Sequence, residues 1–229
     1  MTRVKMCGLM STDDVGLAVT AGADALGFVT EYPQSVPWNL TRDRAAALVA
    51  AAPPFVTTTA VVGGAVEVML AIAATVQPHF LQLHGDETAD EIEAVCAGLA
   101  GSGTKVIKAL RVDIDSGEAM FVERDPVKAA TILASTGIAG LVLDSKTANR
   151  PAGTGIPLDW GVAARVAASS GCPLILAGGL SADNVGAAID HVHPYGVDVI
   201  SGVESERGVK DGCRMRAFMA TVRATDGQG

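Results

Sequence analysis

A cysteine and an aspartate stand at the ends of two short apolar segments. Cys7 closes the run from Arg3 and is followed by Gly8, while Asp144 closes the run that begins at Gly140. A thiol activated by its surroundings can remove a proton, and a carboxyl group in an apolar setting can donate one near neutral pH. Cys7 could equally be a buried small residue, and Asp144 could cap a helix or orient a loop. The two residues predict acid/base chemistry only where the fold brings them to one site.

Three glycine clusters lie late in the chain and follow predicted strands. They are Gly153-Thr154-Gly155, Ala177-Gly178-Gly179 and Ser201-Gly202. Glycine lets backbone N–H groups approach a phosphate closely, so an acidic protein can bind a phosphoester without a basic patch. The alternative is that these glycines form tight turns between strands and helices.

The four histidines differ in their predicted positions. His84 ends an apolar segment that also contains Gln82, whereas His79 precedes that segment and lies at its other end. His191 and His193 end a predicted helix, where an imidazolium would complement the helix dipole. His84 is therefore the histidine that could shape a pocket, or else order the loop that follows, with Gln82 lining the interior.

The bulk composition narrows the class of protein. The chain has 229 residues, of which 49% are hydrophobic, and a formal net charge of -8. This acidity argues against nucleic-acid binding, and no apolar run is long enough to predict a membrane span. The four cysteines show neither a disulfide framework nor a zinc-ligand spacing, which favours a reducing cytoplasm. The acidic pair Asp13 and Asp14, with no apolar segment before it, gives no sign of a secretion signal.

Short strand-like runs alternate with longer Ala-rich runs, a pattern typical of repeated βα units around a parallel sheet. The predicted strands are Arg3 to Cys7, Ala25 to Val29, Thr57 to Val62, Phe80 to Leu83, Lys105 to Ala109, Gly140 to Asp144, Pro173 to Ala177 and Asp198 to Ser201. The clearest helix starts are Ser11, Thr41, Asp86, Ser181 and Asp211, whereas the region from Val112 to Ala130 has only a weak helical pattern. This order predicts a single-domain (β/α)8 barrel over residues 1–229, with a doubly wound open sheet as the alternative and a frayed tail over 225–229.

Several of these runs together resemble the phosphoribosylanthranilate isomerase family. They occur in family order as Val4-Lys5-Met6-Cys7-Gly8, Gly22-Ala23-Asp24-Ala25-Leu26-Gly27-Phe28, Gln82-Leu83-His84-Gly85-Asp86-Glu87, Leu143-Asp144-Ser145, Gly153-Thr154-Gly155 with Asp159-Trp160, Leu176-Ala177-Gly178-Gly179-Leu180, and Tyr195-Gly196-Val197-Asp198 with Ser201-Gly202-Val203-Glu204.

The resemblance implies a TIM barrel that performs an Amadori rearrangement in tryptophan biosynthesis, with neither metal nor organic cofactor. Its substrate would be N-(5'-phosphoribosyl)anthranilate and its product 1-(2-carboxyphenylamino)-1-deoxyribulose 5-phosphate. Asp144 would protonate the ribose ring oxygen, and Cys7 would then remove the neighbouring carbon-bound proton. By the same resemblance, backbone amides would hold the phosphate near Gly155, Gly178, Gly179, Ser201 and Gly202.

One position departs from the family pattern. Many members carry Ser-Pro-Arg after the second strand, and Pro37 stands where that arginine would fall. The expected arginine contributes to the anthranilate side of the pocket, so Arg42, Arg44 or, preferably, Arg111 would have to supply the charge. Trp38 could stack on the aromatic ring or pack under the loop.

Two other functions remain open from the sequence. One is a noncatalytic barrel that binds a phosphosugar, and the other is an Amadori isomerase for a different phosphoribosyl amine. The sequence predicts a phosphorylated small molecule as partner and leaves the oligomeric state open.

Overall fold

The computed structural model describes residues 1–146 and 158–227. Across these residues, eight parallel strands alternate with helices and close into a barrel. The strands are β1 (Arg3–Met6), β2 (Ala25–Val29), β3 (Thr57–Val62), β4 (Phe80–Leu83), β5 (Lys105–Asp113), β6 (Gly140–Lys146), β7 (Leu174–Leu176) and β8 (Gly196–Val199). The predicted (β/α)8 barrel is confirmed, and the open sheet is excluded because β1 pairs with β8.

In the described residues, eight α-helices surround the strands. They are α1 (Thr12–Ala21), α2 (Arg42–Ala50), α3 (Val66–Val76), α4 (Ala89–Gly98), α5 (Pro126–Ala134), α6 (Trp160–Ser169), α7 (Val185–Val192) and α8 (Gly212–Asp226). Short polar side chains accept hydrogen bonds from the first free N–H groups of most of them, which fixes where those helices begin. Ser11, Thr41 and Asp211 cap helices as the sequence predicted.

The alternation of side chains along β1 separates the two environments of the barrel. Val4 and Met6 are fully buried in the main apolar cluster between strands and helices. Lys5 and Cys7 occupy the other face, because successive side chains of a strand point in opposite directions. They therefore lie inside the barrel, and Lys5 reaches Asp198 of β8.

Two predicted helix starts are wrong by a few residues. Thr88 caps α4 in place of Asp86, because Thr88 and Glu91 form a reciprocal capping box. At α7, the amide of Ser181 donates to the side chain of Asn184, and the helix begins only after Asn184.

The fifth strand is longer than the sequence predicted. It runs beyond Ala109 to Asp113, since it pairs with β6 along its whole outer half. Val112 also forms an isolated antiparallel bridge with Ala119, so the segment that follows folds back on the strand. Only the end of the uncertain region is helical, beginning at Pro126.

The eighth strand lies earlier than the predicted Asp198 to Ser201. After β8 ends, the chain forms a 3₁₀ turn (Ser201–Val203) and then a small antiparallel hairpin of β9 (Glu204–Glu206) and β10 (Val209–Lys210). The sequence analysis did not predict this hairpin.

The two ends of the described chain are joined by hydrogen bonds. The Thr2 amide and hydroxyl both donate to the Asp226 carboxylate at 2.8–2.9 Å, and the Arg223 guanidinium donates to the Thr2 carbonyl at 2.7 Å. Since α8 continues to Asp226, the tail predicted from Thr225 is wrong for its first two residues. In the described part of the chain, no helix combines the length and apolar character needed to cross a membrane.

Candidate active site

A cavity opens at the carboxyl ends of the strands and gathers most of the predicted site residues. Its lining residues are Cys7, Val29, Tyr32, Val36, Trp38, Val61, Gln82, His84, Asp144, Ala177, Gly178, Gly179, Leu180, Asp198, Val199, Ile200 and Ser201. The Cys7 thiol, which follows β1, and the Asp144 carboxyl group of β6 therefore line the same cavity, as expected for a closed barrel. This edge of a TIM barrel is where active sites are found.

The Cys7 thiol is buried, with 2% of the residue exposed. Burial raises the pKa of Cys7, and the Asp198 carboxylate raises it further, whereas the ammonium groups of Lys5 and Lys210 oppose that rise. Space for the sulfur depends on Gly27 of β2, where an added Cβ would lie 2.5 Å from Sγ. The absence of a side chain at Gly27 therefore lets the thiol occupy its position.

Below the thiol, Lys5 and Asp198 form a buried ion pair. The Lys5 Nζ lies 2.7 Å from the Asp198 Oδ2, and both side chains are less than a tenth exposed. Burial lowers the pKa of Lys5, but the charges of Asp198 and Cys7 outweigh it and the net shift is upward. Lys5 is consequently a fixed positive charge two residues from the thiol on the same face of β1.

The Asp144 carboxyl group is a weak acid in this setting. Burial raises its pKa to about 7, and the nearby Asp198 carboxylate acts in the same direction. The Ser145 amide donates to Asp144 Oδ1 at 2.8 Å and, with the charges of Arg111 and Lys5, limits the rise. Near neutral pH the group is therefore divided between its protonated and ionised forms, which suits a general acid.

His84 lies against Asp144 as a neutral ring. Burial lowers the pKa of His84 to about 3, with further lowering by the positive charges of Arg111 and other cations. The Gln82 amide nitrogen lies 3.2 Å from Nδ1, and Nε2 lies 3.5 Å from Asp144 Oδ2. We assign the ring proton to Nε2, because the Gln82 amide donates to Nδ1. The phenolic hydroxyl of Tyr32 also donates to the His84 carbonyl at 2.9 Å, which fixes the backbone there.

Trp38 forms one wall of the cavity and is hydrogen-bonded to the β9–β10 hairpin through Glu204. Its indole Nε1 donates to Glu204 Oε1 at 2.6 Å, and the Lys210 ammonium lies 2.8 Å from the same oxygen. A Cβ at Gly8 would lie 2.8 Å from the indole ring, and Gly8 also has a positive φ of 72°. Glycine at that position therefore permits both the turn and the close approach of the ring.

The comparison with known proteins agrees with this geometry. The family model described as N-(5'phosphoribosyl)anthranilate (PRA) isomerase matches residues 4–221. A protein named N-(5'-phosphoribosyl)anthranilate isomerase from Geotalea uraniireducens is 41% identical over 225 residues, covering 97% of this chain and 99% of the relative. A protein of the same name from Pseudomonas aeruginosa is 41% identical, covering 97% of this chain and 95% of its own.

This chain belongs to the N-(5'-phosphoribosyl)anthranilate isomerase family. Solved structures of the family have the same fold. The phosphoribosyl anthranilate isomerase from Thermotoga maritima has a TM-score of 0.81 at 29% identity, covering 98% of this chain and all of that one. A phosphoribosyl anthranilate isomerase bound to reduced 1-(o-carboxyphenylamino)-1-deoxyribulose 5-phosphate has a TM-score of 0.78 at 28% identity, with the same coverage.

In this family member, part of the predicted phosphate site lines the cavity. Gly178, Gly179 and Ser201 are among its lining residues. Gly178 has a φ of 82°, and a Cβ there would lie 2.5 Å from the Ser145 hydroxyl oxygen, so a larger residue would push the loop away. The predicted contact at Gly155 lies outside the described residues.

Gly202 lies in the 3₁₀ turn after β8, and its predicted backbone contact with the phosphate stays a prediction. It is absent from the described lining of the cavity, and a Cβ there would lie 2.0 Å from the Leu180 carbonyl oxygen. Gly202 therefore allows the loops after β7 and β8 to touch.

Arg111 is also placed differently from the prediction. It is 1% exposed and does not appear among the described residues that line the cavity. Its guanidinium pairs with Asp86, and its charge acts at a distance on His84 and Asp144. This arrangement therefore does not favour direct contact between Arg111 and the substrate.

Sequence reasoning gave no role to Lys5, Asp198 or Glu204, although all three lie within the quoted motifs. The signal for Lys5 is its position two residues before Cys7 in a buried strand, because residues i and i+2 share one face. Asp198 stands similarly between Val197 and Val199, as a charge in an apolar strand. In the described residues, no cluster of three or more His, Cys, Asp or Glu side chains is arranged to hold a metal ion.

Proposed function

We propose that this chain isomerises N-(5'-phosphoribosyl)anthranilate to 1-(2-carboxyphenylamino)-1-deoxyribulose 5-phosphate in tryptophan biosynthesis, with Asp144 as general acid and Cys7 as general base. The observation that carries the proposal is that the two groups line one cavity at the carboxyl ends of β1 and β6. Family membership supports the reaction, and the placement of the two side chains supports their roles.

The first step opens the sugar ring. Asp144 gives its proton to the ribose ring oxygen as the bond between that oxygen and C1 breaks, which leaves an iminium between C1 and the anthranilate nitrogen. A pKa of about 7 keeps a large fraction of Asp144 protonated at neutral pH. The nearby Asp198 carboxylate sustains that fraction, because a like charge disfavours ionisation of Asp144.

The second step removes a proton from C2, which the iminium has made acidic. The Cys7 thiolate accepts this proton, and the electron pair of the C–H bond forms an enolamine. The enol then loses its hydroxyl proton while C1 gains one, which produces the ketone. Lys5 favours the thiolate, because its positive charge stabilises the ionised sulfur within the barrel.

The two pKa shifts have a consequence for the reactive ionic state. The reaction requires protonated Asp144 and ionised Cys7, yet the pKa of Asp144 is about 7 and burial raises the pKa of Cys7 above its ordinary value. Asp144 therefore ionises before Cys7 as the pH rises, so the reactive state is a minor one in the free enzyme. The enzyme therefore works through a minor protonation state, and a pH profile can test this.

The remaining lining residues are proposed to position the substrate. The backbone at Gly178, Gly179 and Ser201 provides close approach for the phosphate. The neutral His84 ring orients the Asp144 carboxyl group and contacts the substrate. A reducing compartment such as the cytoplasm suits this mechanism, because Cys7 must remain a thiol.

The test is turnover of N-(5'-phosphoribosyl)anthranilate, followed by the change in fluorescence as the substrate is consumed. We expect Cys7→Ser and Asp144→Asn to lower kcat by about 10²- to 10⁴-fold, with unchanged circular dichroism. Wild-type-like turnover in both variants would contradict the assigned roles.

Two outcomes would support the other functions. Phosphosugar binding by calorimetry without turnover would support a noncatalytic barrel. Turnover of a different phosphoribosyl amine, with none of the anthranilate compound, would support an altered substrate. Rescue of a tryptophan auxotroph by the intact gene would exclude the noncatalytic alternative.

A further inference from the structure

The substrate of the proposed function presents a carboxylate on its aromatic ring, and this inference rests on that function. Desolvating a carboxylate at an enzyme surface requires a cation or several hydrogen-bond donors. The question is which side chain of this chain supplies that cation.

The buried cations around the cavity already have anionic partners. Lys5 pairs with Asp198 and Lys210 with Glu204, in both cases at 2.8 Å or less. The other two such pairs are Lys108 with Glu87 and Arg111 with Asp86. A substrate carboxylate that used one of the three lysines would have to displace a buried protein carboxylate, which is costly. Asp86 is exposed, but Arg111 is itself buried and is not among the described residues that line the cavity.

Arg207 stands apart from these paired cations. It lies on the exposed turn between β9 and β10, and its guanidinium carbon is 5.5 Å from the centre of the Trp38 ring. Within the described parts of the chain, no carboxylate lies within ion-pair distance of it. Arg207 is not itself among the described lining residues, but Trp38 is, so this unpaired and exposed cation is next to a wall of the cavity.

The surroundings hold Arg207 at that place. The hairpin is joined to the Trp38 loop by the hydrogen bond from the indole to Glu204. Next to Arg207, a Cβ at Gly208 would lie 3.4 Å from the Pro37 side chain, so the hairpin rests on the loop at that residue. Pro37 is the position where the family resemblance predicts an arginine, and the residue that follows Arg207 is the one that approaches it.

The chemistry of the guanidinium fits this position. A planar guanidinium can stack its face on an aromatic ring while its N–H donors remain available in the plane. A carboxylate can therefore accept two parallel hydrogen bonds from Arg207 without disturbing the contact with Trp38.

We propose that Arg207 is the specificity-determining residue that binds the carboxylate of the anthranilate ring, with Trp38 as the wall against which the ring packs. Arg207 takes no part in proton transfer. Its removal therefore weakens substrate binding and leaves the acid/base steps intact.

The test compares two substrates and two matched variants. Arg207→Met keeps an aliphatic side chain on Trp38 and removes the charge, and Arg216→Met removes an exposed arginine of α8 to which no role in the site is assigned. Each is assayed with N-(5'-phosphoribosyl)anthranilate and with the aniline analogue that lacks the carboxylate. We expect Arg207→Met to raise KM for the anthranilate compound by about 10- to 100-fold, with kcat within about threefold.

The same variant should leave the aniline analogue unaffected, because that compound has no carboxylate to lose. Arg216→Met should behave as wild type with both compounds. Adding Pro37→Arg to the Arg207→Met variant should recover a large part of the lost affinity, because it restores a cation beside Trp38.

Three results would overturn the proposal: an unchanged KM in Arg207→Met, an equal loss of affinity for both compounds in that variant, or an equal loss in Arg216→Met. Binding of reduced 1-(o-carboxyphenylamino)-1-deoxyribulose 5-phosphate, measured by calorimetry, gives the same comparison without turnover. A wild-type protein that fails to turn over the anthranilate compound contradicts the proposed function, whereas a normal Arg207→Met variant contradicts only the role of Arg207.

Discussion

The imidazole Nε2 of His84 lies 3.5 Å from the Asp144 carboxylate Oδ2 inside the cavity. Since burial keeps the ring neutral, the contact is between an N–H donor and a carboxyl group rather than between two charges. Such a donor favours the ionised carboxylate. The His84 Nε2–H is therefore placed to stabilise the ionised form of Asp144.

Replacing His84 with Phe removes this donor and keeps a ring of similar size. We expect the pKa of Asp144 to rise above its value of about 7, so the acid limb of the kcat/KM profile should move to higher pH. The measurement is the pH dependence of kcat/KM in both proteins. A change in KM at every pH, with no movement of the limb, would assign His84 to substrate contact alone.

The wild-type pH profile tests the minor protonation state. Activity should rise with pH up to about 7, stay level, and fall at the higher pH where Cys7 ionises, because burial raises the pKa of that thiol above its ordinary value. The assignment of the two limbs is the reverse of the usual one, because the acid limb reports Asp144 while the alkaline limb reports Cys7. The rate at which iodoacetamide alkylates Cys7 in the folded protein, followed by mass spectrometry across pH, should show a midpoint above that of an ordinary cysteine. A midpoint below that of an ordinary cysteine would contradict this assignment.

Gly27 provides a test of the packing around the thiol. An added Cβ would lie 2.5 Å from the Cys7 Sγ and 3.0 Å from its Cα. Gly27→Ala should therefore displace Cys7, lower kcat, and reduce the free energy of unfolding by about 1–3 kcal/mol. The control is Gly16→Ala in α1, where nothing lies within 4 Å of the added atom. That change should stabilise the helix by about 0.5–1 kcal/mol and leave turnover unaltered.

The buried pair of Lys108 and Glu87 tests the stability of the barrel. The Lys108 Nζ lies 2.8 Å from Glu87 Oε2, and both side chains are 3% exposed. Lys108→Met leaves a buried carboxylate without its cation, so we expect a loss of about 3–5 kcal/mol in the free energy of unfolding. Lys105→Met, on the same strand but exposed, should change it by less than about 0.5 kcal/mol. Equal urea midpoints for the two variants would be inconsistent with this expectation.

The order of the strands could be predicted because a parallel barrel buries both faces of each strand. Apolar runs such as Ala25–Val29 and Thr57–Val62 have the predicted bounds, and turn residues punctuate them. The region after Ala109 could not be predicted in the same way. Its extra strand length depends on pairing with β6 and on the bridge from Val112 to Ala119, which are contacts distant in sequence.

The residues of the candidate site also differ in whether their positions could be predicted, and for the same reason. Cys7 and Asp144 could be located because the end of a strand fixes where a side chain lies in a barrel. The environment of Arg111 could not be predicted, because its side chain pairs with Asp86 on a neighbouring loop. That partner is determined by the tertiary structure. Arg207 was missed for a similar reason, because its hairpin has no hydrophobic periodicity and its nearness to Trp38 exists only in the folded chain.

The pairing of Lys5 with Asp198 has a consequence for how the protein is made. The two residues are direct register partners on β1 and β8, which are the first and last strands of the barrel. A growing chain therefore carries Cys7 from its first moments of synthesis, but the charge environment of the thiol waits until residue 198 has emerged and the seam has closed. The buried, charged surroundings of Cys7 therefore form only when β1 pairs with β8. Chains that are incomplete, or in which this strand pair is open, should carry an ordinary, solvent-exposed cysteine.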